Sequence, residues 1–263
     1  MIKLGKIWRI VATGFCFFVF TFGAFIFSCL LLPVLGLVTR DKQVLRHRTR
    51  FVVQKFFRFI TLLSHYTGCM RLRVEGLEQL RSAKGVLILA NHPTLIDVVV
   101  LMGLIPQANC IIKSSLFRTF ALGRTLRFAG YVENRDSDNL MNDCLGAMDG
   151  GHPLIIFPEG TRTTPGEAMV FQRGPSHLLL ATRRTFLPII IQCRPHALLK
   201  GQPWYDVPER RFELEVKVLD LVNSEQWVGA LVGEPRPIAV RELTRYLELY
   251  FISKTTPTII INE

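Results

Sequence analysis

Spaced thiol pairs are missing from this chain. Its six cysteines, Cys16, Cys29, Cys69, Cys110, Cys144 and Cys193, form no C-x-x-C, and two of them fall inside the first apolar stretch. The pattern signals neither a zinc site nor a disulfide framework, and reads as buried free thiols in a reducing compartment. Acidic side chains are nearly absent from the first sixty residues, where Asp41 stands alone against ten Lys/Arg. The remaining residues are almost balanced, so the net charge of +11 is concentrated at this end. A basic region beside an apolar one, with no basic-aromatic nucleic-acid motif, points to anionic membrane lipid and to no nucleic-acid partner.

Formal charge is missing altogether from residues 10–38. As a helix, these 29 residues would reach roughly 43 Å at about 1.5 Å each, against a hydrocarbon thickness of about 30 Å. The run either crosses with a tilt or bends back near Pro33 and Gly36, and the expectation is a re-entrant hairpin with both ends cytoplasmic. It is too long for a cleaved signal peptide and ends in no small-x-small site. Residues 43–66 then interleave five Lys/Arg with Leu45, Val52, Phe56, Phe59, Ile60 and Leu63 at helical spacing. That suits a helix in the membrane interface, or one docked on a domain.

No internal repeat, low-complexity tract or linker interrupts the remainder, and 263 residues suffice for a buried core. Met70, Leu72 and Val74 alternate with polar residues; apolar runs follow at 86–90, 110–112, 131–132, 154–157, 187–191 and 212–219. Helical stretches lie between them. One covers 137–149, with Ser137 as N-cap, Leu140, Met141, Cys144, Leu145 and Met148 on one face, and Gly150-Gly151 at its end. Others begin at Pro175 and at Pro237. Strands alternating with helices give an α/β fold: a mainly parallel sheet of about seven strands covered by helices, residues 67–263, behind membrane-anchoring helices in residues 1–66. In such folds the site sits at the carboxyl ends of the strands.

Two stretches carry chemistry there. In LANHPTLID, His92 lies in the turn after the run 86–90, and Asp97 reaches back to it if a helix starts near Thr94. A carboxylate on one imidazole nitrogen leaves the other free to accept a proton from an alcohol. Thr94-x-x-Asp97 equally reads as a capping box, with Asp97 serving the helix N-terminus. In FPEGTR, Pro158 and Gly160 make ordinary turn chemistry, while Glu159, Gly160, Thr161 and Arg162 form a turn able to hold phosphate and orient a polar substrate. Lys113 and Arg135 follow two other apolar runs, so a parallel sheet would gather these cations near His92.

Together these residues resemble the lysophospholipid acyltransferase family. NHPTLID is similar to the family's N-H-x4-D motif, FPEGTR matches its third motif at every position, and FQRGPSHL resembles the stretch that follows. Lys113 and Leu116, the segment 130–135, and Leu187-Pro188-Ile189 are similar to lesser blocks, so the likeness runs from about 74 to 193. Thr94 stands where many members have Ser, 130–135 is one residue short with Asn134 in place of a common Asp, and the last block lacks a second proline.

The resemblance implies a membrane-bound O-acyltransferase. It would move a fatty acyl group from acyl-CoA or acyl-carrier protein to the hydroxyl of a lysophospholipid such as 1-acylglycerol-3-phosphate, with no cofactor and no metal. His92 would be the general base, Asp97 its partner, Lys113, Arg135, Glu159, Gly160, Thr161 and Arg162 the substrate-binding set, and backbone N–H groups near Gly160 the oxyanion donors. Absence of G-x-S-x-G favours direct transfer without an acyl-enzyme. The site would face the cytoplasm from a bacterial cytoplasmic membrane. An amino-acid lipid or polyene lipid as acceptor, a membrane-bound phosphohydrolase and a noncatalytic lipid-binding scaffold are the alternatives; no P-loop or paired-acid metal motif supports the phosphohydrolase.

Overall fold

The uncharged N-terminal run becomes one nearly unbroken helix. In the computed structural model, which describes residues 2–135 and 139–255, α1 (Ile2–Ile26) passes through a π-helical turn (Phe27–Leu31) into α2 (Leu32–Val38). The wide turn sits just ahead of Pro33, and the Leu32 N–H reaches five residues back to the Phe27 carbonyl. A proline inside a helix clashes with the carbonyl four residues before it; the extra residue per turn relieves that clash and lets the helix continue. The chain therefore does not reverse near Pro33 and Gly36. It reverses at residues 39–41, where Asp41 caps α3 (Lys42–Tyr66) by accepting from the amides of Gln43 (2.7 Å) and Val44 (2.9 Å).

α3 returns antiparallel along α1, with Phe56 against Phe20 and Gly23, and Thr67 receiving the Trp8 indole N–H at 2.9 Å. Its inner face is Thr49, Arg50, Val53, Ile60 and Thr61, and it docks on the domain helices as well as on α1. Of the apolar face expected for a lipid-lying helix, Ile60 is buried and Phe59 stays exposed. Among the described residues one helix, Leu4–Val38, is long and apolar enough to cross a membrane by length and composition.

Beyond α3 the order is β1 (Met70–Glu75), α4 (Leu77–Ser82), β2 (Leu87–Ala90), α5 (Asp97–Leu104), β3 (Asn109–Lys113), α6 (Ser114–Phe117), α7 (Phe120–Ala129), β4 (Val132–Asn134), α8 (Leu140–Asp149) and β5 (Leu154–Ile156). There follow α9 (Gly174–Thr182), β6 (Phe186–Arg194), β7 (Phe212–Val218), α10 (Glu225–Gly229) and α11 (Arg236–Thr255). Each expected strand forms. Ser137, expected as the N-cap of α8, lies outside the described residues.

The seven strands form one sheet in the order β1-β7-β6-β2-β5-β3-β4. All pairings are parallel except β6 with β7, so β1 and β7 run opposite to the other five. The central strands are apolar throughout because both sheet faces are covered. Ile88, Ala90 and Ile189 turn toward α3, α5 and α7, while Leu87, Leu89, Phe186 and Ile190 turn toward α8, α9 and α11. α5 lies so close to α3 that a Cβ on Gly103 would stand 2.9 Å from the Arg58 backbone nitrogen. The carboxyl ends of β2, β3, β4 and β5 all open onto one edge, the edge that carries both motifs.

Candidate active site

At the end of β2, Asn91 is buried and continues the sheet with its side chain. Its amide donates to the Ile191 carbonyl (2.9 Å) and its oxygen accepts from the Ile191 N–H (2.7 Å) on β6. A side-chain amide thus stands in for a backbone ladder pair and fixes where the strand stops. His92 follows immediately, in a loop, and α5 begins only at Asp97.

Asp97 is fully buried and accepts three hydrogen bonds: from Nδ1 of His92 (2.9 Å), from the Thr94 N–H (2.7 Å) and from the Thr94 hydroxyl. The contact between the two side chains forms, but the capping box does not: the N-cap of α5 is Ile96, without a side-chain cap, and Asp97 Oδ2 takes both the Thr94 amide and the imidazole. A carboxylate accepting at Nδ1 selects the tautomer of the neutral ring in which Nε2 carries the lone pair. The Phe157 ring lies 4.4 Å from the imidazole, centroid to centroid, and 16% of the His92 side chain is exposed.

The turn after β5 closes as its composition requires. Gly160, at φ +68°, donates its N–H to the Phe157 carbonyl (3.0 Å), so that amide is committed to the turn. The amides of Thr161 and Arg162 come next. Glu159 points inward rather than into a cleft: it is 4% exposed, accepts the His92 N–H at 2.8 Å, and bonds the Thr163 hydroxyl. Thr163 N–H in turn reaches the His92 carbonyl (3.1 Å). Burial pushes the Glu159 carboxyl up to about 7, the nearby Asp97 adding to the shift and the bond from His92 opposing it. Glu159 thus ties the two motif loops together, 67 residues apart in sequence.

The remaining expected residues are placed less uniformly. Gly160 and Thr161 are exposed at the tip of the turn. Arg162 is half-buried and gives Nη1 to the carbonyls of Leu198 (3.1 Å) and Leu199 (2.9 Å), keeping Nε and Nη2 for other partners. Lys113 is exposed at the end of β3, two strands or roughly 10 Å from β2. Arg135 does not join them: it follows β4, three strands or roughly 14 Å from β2, pairs with Glu133 at 3.0 Å, and lines a separate cavity.

The segment 195–211 carries no recognised pattern, yet it braces the site. Leu198, at φ +55°, accepts at its carbonyl from both Arg162 and the Leu95 N–H (3.0 Å). Further along, Trp204 packs on α1, its ring 6.3 Å from Phe17 and 3.0 Å from where a Cβ on Gly14 would be. Arg9 of α1 donates to the carbonyls of Pro208 and Glu209.

The model of the acyltransferase family matches residues 71–192. Over 183 residues the chain is 25% identical to the 1-acyl-sn-glycerol-3-phosphate acyltransferase alpha of Mus musculus, covering 65% of this chain and 61% of that protein. Over 150 residues it is 29% identical to the 1-acyl-sn-glycerol-3-phosphate acyltransferase of Pseudomonas aeruginosa, covering 55% of this chain and 58% of that one. The chain spans about six-tenths of the length of the curated relatives it matches. The solved 1-acyl-sn-glycerophosphate acyltransferase PlsC of Thermotoga maritima shares the fold at a TM-score of 0.70 and 20% identity, over 97% of this chain and 96% of that one.

Proposed function

Because residues 71–192 match the model of the acyltransferase family, we propose that this chain is an acyltransferase that moves a fatty acyl group from a thioester to the free hydroxyl of 1-acylglycerol-3-phosphate. The carrying observation is the His92–Asp97 pair: Nδ1 held at 2.9 Å by a buried carboxylate, with Nε2 left for the acceptor hydroxyl. His92 takes the hydroxyl proton as the oxygen attacks the thioester carbonyl, and Asp97 stabilises the imidazolium that forms. Base assistance of this kind supplies roughly 10²–10⁴-fold. The amides of Thr161 and Arg162 receive the developing oxyanion, since that of Gly160 is used in the turn. The free nitrogens of Arg162, with Lys113, hold the acceptor phosphate. The thiol of acyl-CoA or acyl-carrier protein leaves with the proton His92 took.

The membrane region supports this reading. Trp8, Val11, Phe15, Phe18, Phe22 and Phe25 are all exposed along α1, on the side away from Ala12, Cys16 and Gly23, which pack inward. Lipid is the partner such a stripe fits. Drawing an acyl chain into water costs about 0.8 kcal/mol per methylene, a cost avoided by a site held at the bilayer.

The test is turnover with labelled acyl-CoA or acyl-carrier protein in vesicles containing 1-acylglycerol-3-phosphate, run beside an acceptor lacking phosphate. Wild type should release free thiol and form the diacyl product from the phosphate-bearing acceptor. His92→Ala should lower that rate roughly 10²–10⁴-fold while still binding vesicles. Equal rates in the two proteins would overturn the base assignment.

A further inference from the structure

Where α3 ends, Gly68 turns the chain at φ +80°, and the Cys69 N–H reaches back to the Ser64 carbonyl (3.1 Å). This closing turn sets Cys69 at the head of β1, against the inward side of α1. Cys16 of α1 meets it there. One hydroxyl touches both sulfurs: Thr67 Oγ1 lies 3.7 Å from Cys16 Sγ and 3.4 Å from Cys69 Sγ, and the Thr13 hydroxyl donates to Cys69 at 3.6 Å. The two thiols also hydrogen-bond to each other. Both are buried, with Ala12 and Leu63 packed around them.

Cys69 differs from the cysteines buried in the sheet domain. The hydrogen bond from Cys16 pulls its thiol pKa down; burial opposes this, while the Thr67 and Thr13 hydroxyls and the charge of Arg211 add to it. Arg211 is fixed close by, its Nη2 donating to the carbonyls of His65 (2.8 Å) and Met70 (2.6 Å). Burial instead pushes Cys110, Cys144 and Cys193 up to about 12. The thiolate is the form that attacks an oxidant, so Cys69 is poised to react where those three are not, and a second thiol is already in contact to resolve the product. The pair lies one layer below the surface: Thr67 is half-buried, and Tyr66 beside it is 82% exposed.

We propose that Cys16 and Cys69 are a redox pair, which a hydroperoxide closes into a disulfide that staples α1 to the head of β1. The Cys69 thiolate attacks the terminal peroxide oxygen. The O–O bond breaks, the alcohol leaves with a proton from solvent, and Cys69 becomes a sulfenic acid. The Cys16 sulfur then attacks the Cys69 sulfur; the S–O bond breaks, and the hydroxide leaves as water with the Cys16 proton. Two thiols give up two electrons, and the peroxide is reduced to one alcohol and one water. In a reducing compartment thioredoxin-type dithiols reverse the bond, so the pair rests open and closes under peroxide stress.

The experiment treats the full chain in detergent with hydrogen peroxide or cumene hydroperoxide, unfolds it in N-ethylmaleimide, and maps the thiols by peptide mass spectrometry. With at least one peroxide, two of the six thiols should be lost, the peptides of Cys16 and Cys69 should appear joined with the mass of two hydrogens missing, and dithiothreitol should separate them. Cys69→Ser should abolish the cross-link. In Cys16→Ser the sulfenic acid on Cys69 should persist and be trapped by dimedone. The proposal falls if Cys16 and Cys69 both come back alkylated after either peroxide, if Cys69 is joined to a different cysteine, or if wild-type Cys69 passes to the sulfinic acid with no cross-link. The wild-type map decides by itself should either variant not fold.

Discussion

At the scale of single residues, the pair His92 and Asp97 is legible in the sequence because both belong to one nine-residue stretch whose turn and helix start are local events. Asn91 and Glu159 are not. Asn91 acts by imitating a backbone pairing with β6, a hundred residues away, and Glu159 acts through the His92 N–H across 67 residues. The resemblance implies a substrate contact for Glu159, whereas in the fold it is a buried brace. A protonation consequence follows. The Glu159 carboxyl is raised from 4.5 to about 7 on folding, so the native state holds a proton that the unfolded chain gives up. Its contribution is complete below pH 4.5 and disappears as pH rises through about 7. Glu159→Gln keeps the neutral shape and both partners. The melting temperature of wild type should therefore fall more between pH 5 and pH 8 than that of the variant, and parallel profiles would refute the shift.

At the scale of elements, seven apolar runs become seven strands because each is short, rich in branched residues and bounded by turn formers. The helical entry is harder to read. Pro33 suggests a break, and only the π-helical turn ahead of it, a feature with no sequence signature of its own, keeps the helix going. The inner face of α3 is also hidden, since Thr49, Arg50 and Thr61 are buried there although polar. What sets that face is contact with α5, where Gly103 lets two backbones nearly touch. Gly103→Val should push the helices apart and destabilise the protein by about 1–3 kcal/mol, the usual cost of overpacking. Thermal unfolding in detergent reads this directly. An unchanged midpoint would mean that α3 is loosely held.

Across the whole molecule, one flank collects what would otherwise be a solubility problem. Phe18 and Phe22 stack on each other at 5.6 Å, 62% and 51% exposed, with Phe25 and Phe120 next along the same surface. Burying a phenylalanine side chain is worth about 1.5–3 kcal/mol. Phe18→Ser with Phe22→Ser should accordingly weaken co-sedimentation with anionic vesicles by at least roughly tenfold. Unaltered partitioning would remove this flank from the membrane reading.

The segment between β6 and β7 sets a limit on engineering. The carbonyl that steadies Arg162 and Leu95 belongs to the same short stretch whose tryptophan is seated on Gly14 of the first helix. Trimming the chain back to its sheet to make it water-soluble would pull the cushion from beneath Trp204 and slacken the guanidinium at the other end. Solubility and a taut Arg162 are, in this architecture, competing goals.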